Sequence, residues 1–134
     1  MDRLRAQALR IFQAGVAAAD PHAAVTAVLD DVQTPARIIA VGKAARRMAA
    51  AAMARFPGVP ALVVTNYENA TPLAGATVMA AGHPVPDENG AKAAQAVIAA
   101  LQASDGPVLA LISGVGPRFC LHRRARCVLR TRLR

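Results

Sequence analysis

The sequence predicts an α/β domain on a mostly parallel sheet, and three observations carry that prediction. Short apolar runs at 37–41, 61–65, 77–81 and 107–112 alternate with longer stretches of helical periodicity. The first of them, R-I-I-A-V, lacks polar alternation, as a strand buried on both faces does. Three of the runs end alike, at Val41-Gly42-Lys43, Ala81-Gly82-His83 and Ile112-Ser113-Gly114. Parallel strands set such ends along one edge, where open α/β sheets bind ligands.

Each element follows from local chemistry. Residues 2–19 read as a helix, with Leu4, Ala8, Ile11, Phe12 and Gly15 on one side and Arg3, Gln7 and Arg10 on another. Asp20-Pro21 signals a second helix, Asp as N-cap and Pro at the first helical position. It is expected to reach Val32, with Val25, Val28 and Leu29 inward, before Gln33-Thr34-Pro35 stops it. After the strand at 37–41, a helix over 43–56 repeats Ala45, Met48, Ala49, Ala52, Met53 and Phe56 at helical spacing. Pro57-Gly58 closes it, and the strand at 61–65 (A-L-V-V-T) follows. Asn66, Tyr67, Glu68, Asn69 and Pro72 form a loop before the strand at 77–81. The motif G-H-P-V-P-D-E-N-G at 82–90 is a stiff connection, because each proline fixes φ and removes an N–H. The helix after it, to about residue 103, is expected to bury Ala91, Ala94, Val97, Ile98 and Leu101. Asp105-Gly106 turns into the last strand at 107–112.

Composition narrows the function classes. The 134 residues make one domain at most, with a core of small aliphatics, since there are three Phe, one Tyr and no Trp. No apolar run is long enough to span a bilayer, and a cytoplasmic protein without membrane partners is expected. The net charge of +8 is concentrated: residues 1–114 carry nine Lys and Arg against eight Asp and Glu. Residues 115–134 carry seven arginines and no acid, together with Cys120, His122 and Cys127. Two thiols and one imidazole fall short of the usual four-ligand zinc set.

Several residues are candidates for chemistry. Lys43, beside Gly42 at the start of a helix, places a fixed cation near backbone N–H groups and suits a phosphate or carboxylate. It also reads as a solvated lysine of a first helical turn. His83 is suited to hydrogen-bonding a substrate or moving a proton, and equally to a structural bond with nearby backbone. Asp87 is placed either to ligate Mg²⁺ or to cap the following helix. Asn66, Glu68 and Asn69 are candidate loop contacts or plain turn residues. Neither G-x-x-x-x-G-K-[ST] nor G-x-G-x-x-G is present, so the P-loop and the dinucleotide fingerprint are lacking.

The segments A-V-G-K-A-A at 40–45, V-V-T-N-Y-E-N-A at 63–70, A-G-H-P-V-P-D-E-N-G at 81–90 and L-A-L-I-S-G at 109–114 together resemble the N-terminal, MOFRL-associated domain of type-2 glycerate kinases. That family is often named hydroxypyruvate reductase. The resemblance covers nearly all of residues 1–114. It implies a Rossmann-like, three-layer domain facing a second domain across a cleft. It also implies ATP-dependent phosphorylation of the 2-hydroxyl of D-glycerate, with Mg²⁺. Lys43 matches the lysine that positions or neutralises the phosphoryl group. Gly42, Asn66, His83, Asp87, Ser113 and Gly114 fall in motifs lining substrate and nucleotide.

The family continues after I-S-G with a glycine-rich G-G-S-A-L-L, whereas this chain continues V-G-P-R-F-C-L-H-R-R. An incomplete kinase domain at 1–114, with an out-of-frame and disordered tail at 115–134, is the expectation. Reading the DNA after codon 114 in all frames tests it. Such a fragment is expected to be inactive by itself, with uncovered apolar surface and poor solubility. Two other functions stand beside the kinase. One is an NAD(P)H-dependent hydroxypyruvate reductase. The other is a non-enzymatic α/β module whose arginine-rich arm binds nucleic acid without sequence specificity.

Overall fold

In the computed structural model, residues 2–114 are described. The arginine-rich segment 115–134, with Cys120, His122 and Cys127 and the expectations attached to it, lies outside the described residues. Helix α1 (Asp2–Ala18) and the short α2 (Pro21–Thr26) precede β1 (Arg37–Val41). Then come α3 (Ala45–Arg55), β2 (Ala61–Asn66), a 3₁₀ turn (Tyr67–Asn69), β3 (Ala76–Ala81), α4 (Glu88–Gln102) and β4 (Val108–Ile112).

All four strands pair in parallel in the order β3-β2-β1-β4. The fold class is α/β, as predicted. Each apolar run of the sequence becomes a strand within one residue of its expected bounds. The run at 37–41 is a central strand, whose Ile38, Ile39 and Ala40 are buried. Helices α2 and α3 cover one face, where Ile38, Ala40, Val63 and Leu111 meet Val25, Leu29, Ala49, Ala52 and Phe56. Helix α4 covers β3 and β2 on the other, where Val64 and Ala81 meet Ala93. That makes three layers, with the alternation of strand side chains deciding the face each residue serves.

Three helix expectations need correction. Helix α2 ends at Thr26 rather than near Val32. The Thr26 hydroxyl donates back to the His22 carbonyl, and the next bonds, Val28 N to Val25 O and Val32 N to Leu29 O, span three residues. Such tight turns end an α-helix, and Asp30-Asp31 would oppose the negative end of any longer dipole. Val28 consequently faces solvent while Val25 and Leu29 stay inside. Helix α3 begins at Ala45, not Lys43, because Gly42 takes φ +115° and Lys43-Ala44 form the turn. Helix α4 turns Ala94, Val97 and Ile98 inward as expected, but Gly90 and Ala93 are buried with them, whereas Ala91 and Leu101 are exposed. Helix α1 packs against little, and its Leu4, Ile11 and Phe12 are exposed.

Candidate functional site

Parallel pairing brings the C-terminal ends of all four strands to one edge. Val41 stands opposite both Val64 of β2 and Ile112 of β4, and Asn66 stands opposite Ala81 of β3. Three inter-strand steps, about 14 Å, separate the outer two ends. Within this edge the chain reverses its direction of winding between β1 and β4. From β1 it moves to β2 and β3 on one side, then returns to β4 on the other. That is the switch point at which open sheets hold ligands.

Two of the predicted segments meet there. The Ser113 N–H donates to the Val41 carbonyl at 2.9 Å, and the Gly42 N–H donates to the Val64 carbonyl at 3.0 Å. The Ser113 Oγ accepts from the Ala44 N–H at 2.9 Å, so the serine hydroxyl sits at the N-terminal end of α3. A side chain at position 42 would collide with the Ser113 carbonyl and hydroxyl, and φ there lies in the left-handed region. Glycine is thus required by both space and conformation. Gly114 also has a positive φ, +99°. Lys43 is exposed in the turn between β1 and α3. Its ammonium and the positive end of α3 make this junction suited to phosphate or carboxylate oxygens.

The second group lies at the ends of β2 and β3. Asp87 is the N-cap of α4, its Oδ1 accepting from the Gly90 N–H at 2.8 Å and the Gly82 N–H at 3.0 Å. Its Oδ2 accepts from the Tyr67 hydroxyl, and Asn89 Nδ2 donates to that same hydroxyl at 2.8 Å. Tyr67 therefore straps the 3₁₀ turn after β2 onto the loop after β3. The hydrogen bond from Tyr67, then those from Gly82 and Gly90, hold the Asp87 carboxyl below the usual carboxylate range. The same contact with Asp87 raises the Tyr67 phenol. A side chain at Gly82 would strike the Val85 carbonyl and the Asp87 carboxyl, so this loop closes tightly on its own aspartate.

Asn66 is buried at the end of β2, with its amide engaged inside the turn. It donates to Glu68, and its Oδ1 accepts from Asn69 Nδ2 at 2.6 Å and Thr65 Oγ1 at 3.3 Å. The structure thus gives Asn66, Glu68 and Asn69 a part in shaping the loop. His83, before a cis proline, is exposed at the same edge. Gly42, Lys43, Ser113 and Gly114 are brought together, and His83, Asp87 and Asn66 lie along the same edge.

The expectation of Asp87 as a Mg²⁺ ligand meets a carboxylate already bound through both oxygens. Among the described residues no group of three His, Cys, Asp or Glu side chains is arranged to hold a metal. The sequence reading missed the Tyr67–Asp87–Asn89 set. Its signal was the lone tyrosine in a polar loop, too little to reveal a partner twenty residues away. No helix among the described residues is long and apolar enough to cross a membrane.

Comparison with known proteins adds to this geometry. The profile of a family described as a domain of unknown function, DUF4147, matches residues 7–121, past Gly114 and into the arginine-rich segment. A protein of Agrobacterium vitis carrying the provisional name hydroxypyruvate reductase is 44% identical over 112 residues, 80% of this chain and 26% of that protein. A second match to a protein of that name and organism is 40% identical over 83 residues, covering 59% of this chain and 22% of that protein. The crystal structure of the PH0495 protein from Pyrococcus horikoshii OT3 superposes with a TM-score of 0.66 at 28% identity. That match covers 81% of this chain and 28% of the other. The chain spans about a quarter of the length of the curated relatives it matches.

Proposed function

Because this chain belongs to the DUF4147 family, we propose that its strand-end edge is one wall of a phosphotransferase site. The reaction is ATP-dependent phosphorylation of the 2-hydroxyl of D-glycerate to 2-phosphoglycerate, carried out in a longer polypeptide of the relatives' kind. The observation that carries the reading is the junction at the switch point. There Lys43 and the N-terminal end of α3 adjoin Ser113 and Gly114.

Phosphoryl transfer asks a protein mainly to position groups and offset oxygen charge. Lys43 supplies a fixed cation at the edge. The Ser113 hydroxyl accepts from Ala44, which leaves its own hydrogen to donate to a substrate oxygen. Gly42 and Gly114 keep side chains away from that approach. His83, exposed on the loop after β3, would hydrogen-bond glycerate or take the proton of its 2-hydroxyl. Asp87 and Tyr67 hold the loop that carries His83. The described residues do not by themselves form a Mg²⁺ site, so no step here runs through the metal. A metal that arrives on the nucleotide phosphates needs few protein ligands.

The relatives' name favours a second reading, an NAD(P)H-dependent reductase of hydroxypyruvate. Against it, the turn after β1 is G-K-A-A, with one glycine where a dinucleotide pyrophosphate site uses three. A chimera decides between them. Residues 1–114 replace the matched segment of the 44% identical Agrobacterium vitis relative, and both reactions are assayed. ADP formation dependent on D-glycerate is expected, with about a 100-fold loss of kcat in Lys43→Met. Oxidation of NADH or NADPH by hydroxypyruvate, without glycerate-dependent ADP formation, would overturn the kinase reading.

A further inference from the structure

Helix α1 leaves its apolar side uncovered. It runs for 17 residues, about 25 Å, and packs against little of the domain. Leu4 is 74% exposed, Ile11 74% and Phe12 68%, and Ala8 and Gly15 are exposed as well. A helix of this length is marginal in water unless its apolar side is packed.

The sequence of that side says what fits against it. Leu4, Ala8, Ile11 and Gly15 follow one another at the alternating steps of a helix-to-helix seam. Along the seam a large residue alternates with a small one. Two α1 helices laid antiparallel, about a two-fold axis between Leu9 and Arg10, set Leu4 level with Gly15 of the second copy and Ile11 level with its Ala8. The symmetry repeats both pairs, so a large side chain meets a small one at every level of the seam. A parallel pair would instead set Leu4 on Leu4 and Ala8 on Ala8, and would bring like arginines level with each other. In the antiparallel pair Arg3 and Arg5 lie at opposite ends from their counterparts, and Arg10 points away from the seam. Covering Leu4, Ala8, Ile11, Phe12 and Gly15 on both copies removes on the order of 1,000 Å² from water, enough for a weak, reversible dimer.

We propose that α1 is a dimerisation element through which two copies of this chain pair antiparallel along Leu4, Ala8, Ile11 and Gly15. The pairing does not depend on which reaction the strand-end edge serves.

Sedimentation equilibrium and NMR of the full chain test it. Residues 4 and 15 are about 16 Å apart along one helix, so a nuclear Overhauser contact between the Leu4 methyls and the Gly15 Hα comes only from a second copy. That contact is expected in concentrated samples and should vanish on dilution. Leu4→Ala and Gly15→Leu should each raise the dissociation constant about tenfold. The two together should return it to within about threefold of the parent, since a small residue again faces a large one. Outside its own helix, no heavy atom lies within 4 Å of a Cβ at position 15, so Gly15→Leu leaves the monomer intact. Tighter association of Gly15→Leu would mean a merely adhesive apolar surface. A monomer at every concentration would mean that another part of a longer polypeptide covers α1. Either result overturns the proposal, as does a double variant that associates no better than the single ones.

Discussion

Asp87 shows how much one side chain of the loop at 82–90 has to do, and how it fixes that loop. Its carboxylate caps α4, closes the turn at Gly82 and receives the Tyr67 hydroxyl. These donors favour the charged form and lower its pKa, so the linked stability is fully present above the ordinary carboxylate range, about pH 4. It is lost as pH falls through the lowered folded value. Asp20, lowered chiefly by the His22 N–H and then by Arg47, adds to the same acid-side loss. Tyr67→Phe removes the largest cause of the Asp87 shift. Its titration midpoint should therefore move up toward the ordinary value, and unfolding should begin at a higher pH. Carbon-detected titration of the Asp87 carboxyl in both proteins checks this, and identical midpoints would refute the strap. At this scale the sequence was half legible. D-E-N-G announced the cap, whereas the crowding at Gly42 and Gly82 appears only in the folded chain. Nothing local pointed from Tyr67 to Asp87, because that bond depends on β2 and β3 lying side by side.

The elements were most legible where the pattern had contrast. Strands built of Val, Ile and Leu stood out from their surroundings, and all four were placed. Alanine-rich helices carry less information, since alanine is equally at ease inside and outside. Helix α4 chose the face that lets Gly90 and Ala93 approach the sheet closely, leaving Leu101 at the rim. The segment after α2 gives a sharper test, because two neighbouring aliphatics have opposite environments. Leu29 is 2% exposed and Val28 is 65% exposed. Leu29→Ala should destabilise the fold by about 2–5 kcal/mol, as buried leucines do. Val28→Ala should stay within about 0.5 kcal/mol of the parent. Urea midpoints measure both, and equal losses would mean that the segment continues as the helix the periodicity suggested.

The order β3-β2-β1-β4 could not be read from the chain, because periodicity identifies strands without saying which are neighbours. That order creates the switch point beside Lys43, and it also leaves β4 at an edge with α4 drawn away over β2 and β3. Ile112 is consequently exposed on β4, and along α1 Leu4, Leu9, Ile11, Phe12 and Val16 are exposed as well. An exposed apolar stripe on one helix favours association by burying that surface. The hydrophobic term acts at short range, whereas the Arg3, Arg5 and Arg10 charges nearby are screened by salt. The chain should therefore self-associate in a concentration-dependent way, more strongly as ionic strength rises. Replacing Ile11 and Phe12 together by Glu should raise the concentration of half-association by roughly tenfold or more. The thermal midpoint of the monomer should hardly change, because neither side chain belongs to the packed core. Sedimentation velocity over a range of protein and salt concentrations distinguishes the outcomes. A monomer at every concentration, or association untouched by the double substitution, would show that α1 is not the adhesive surface.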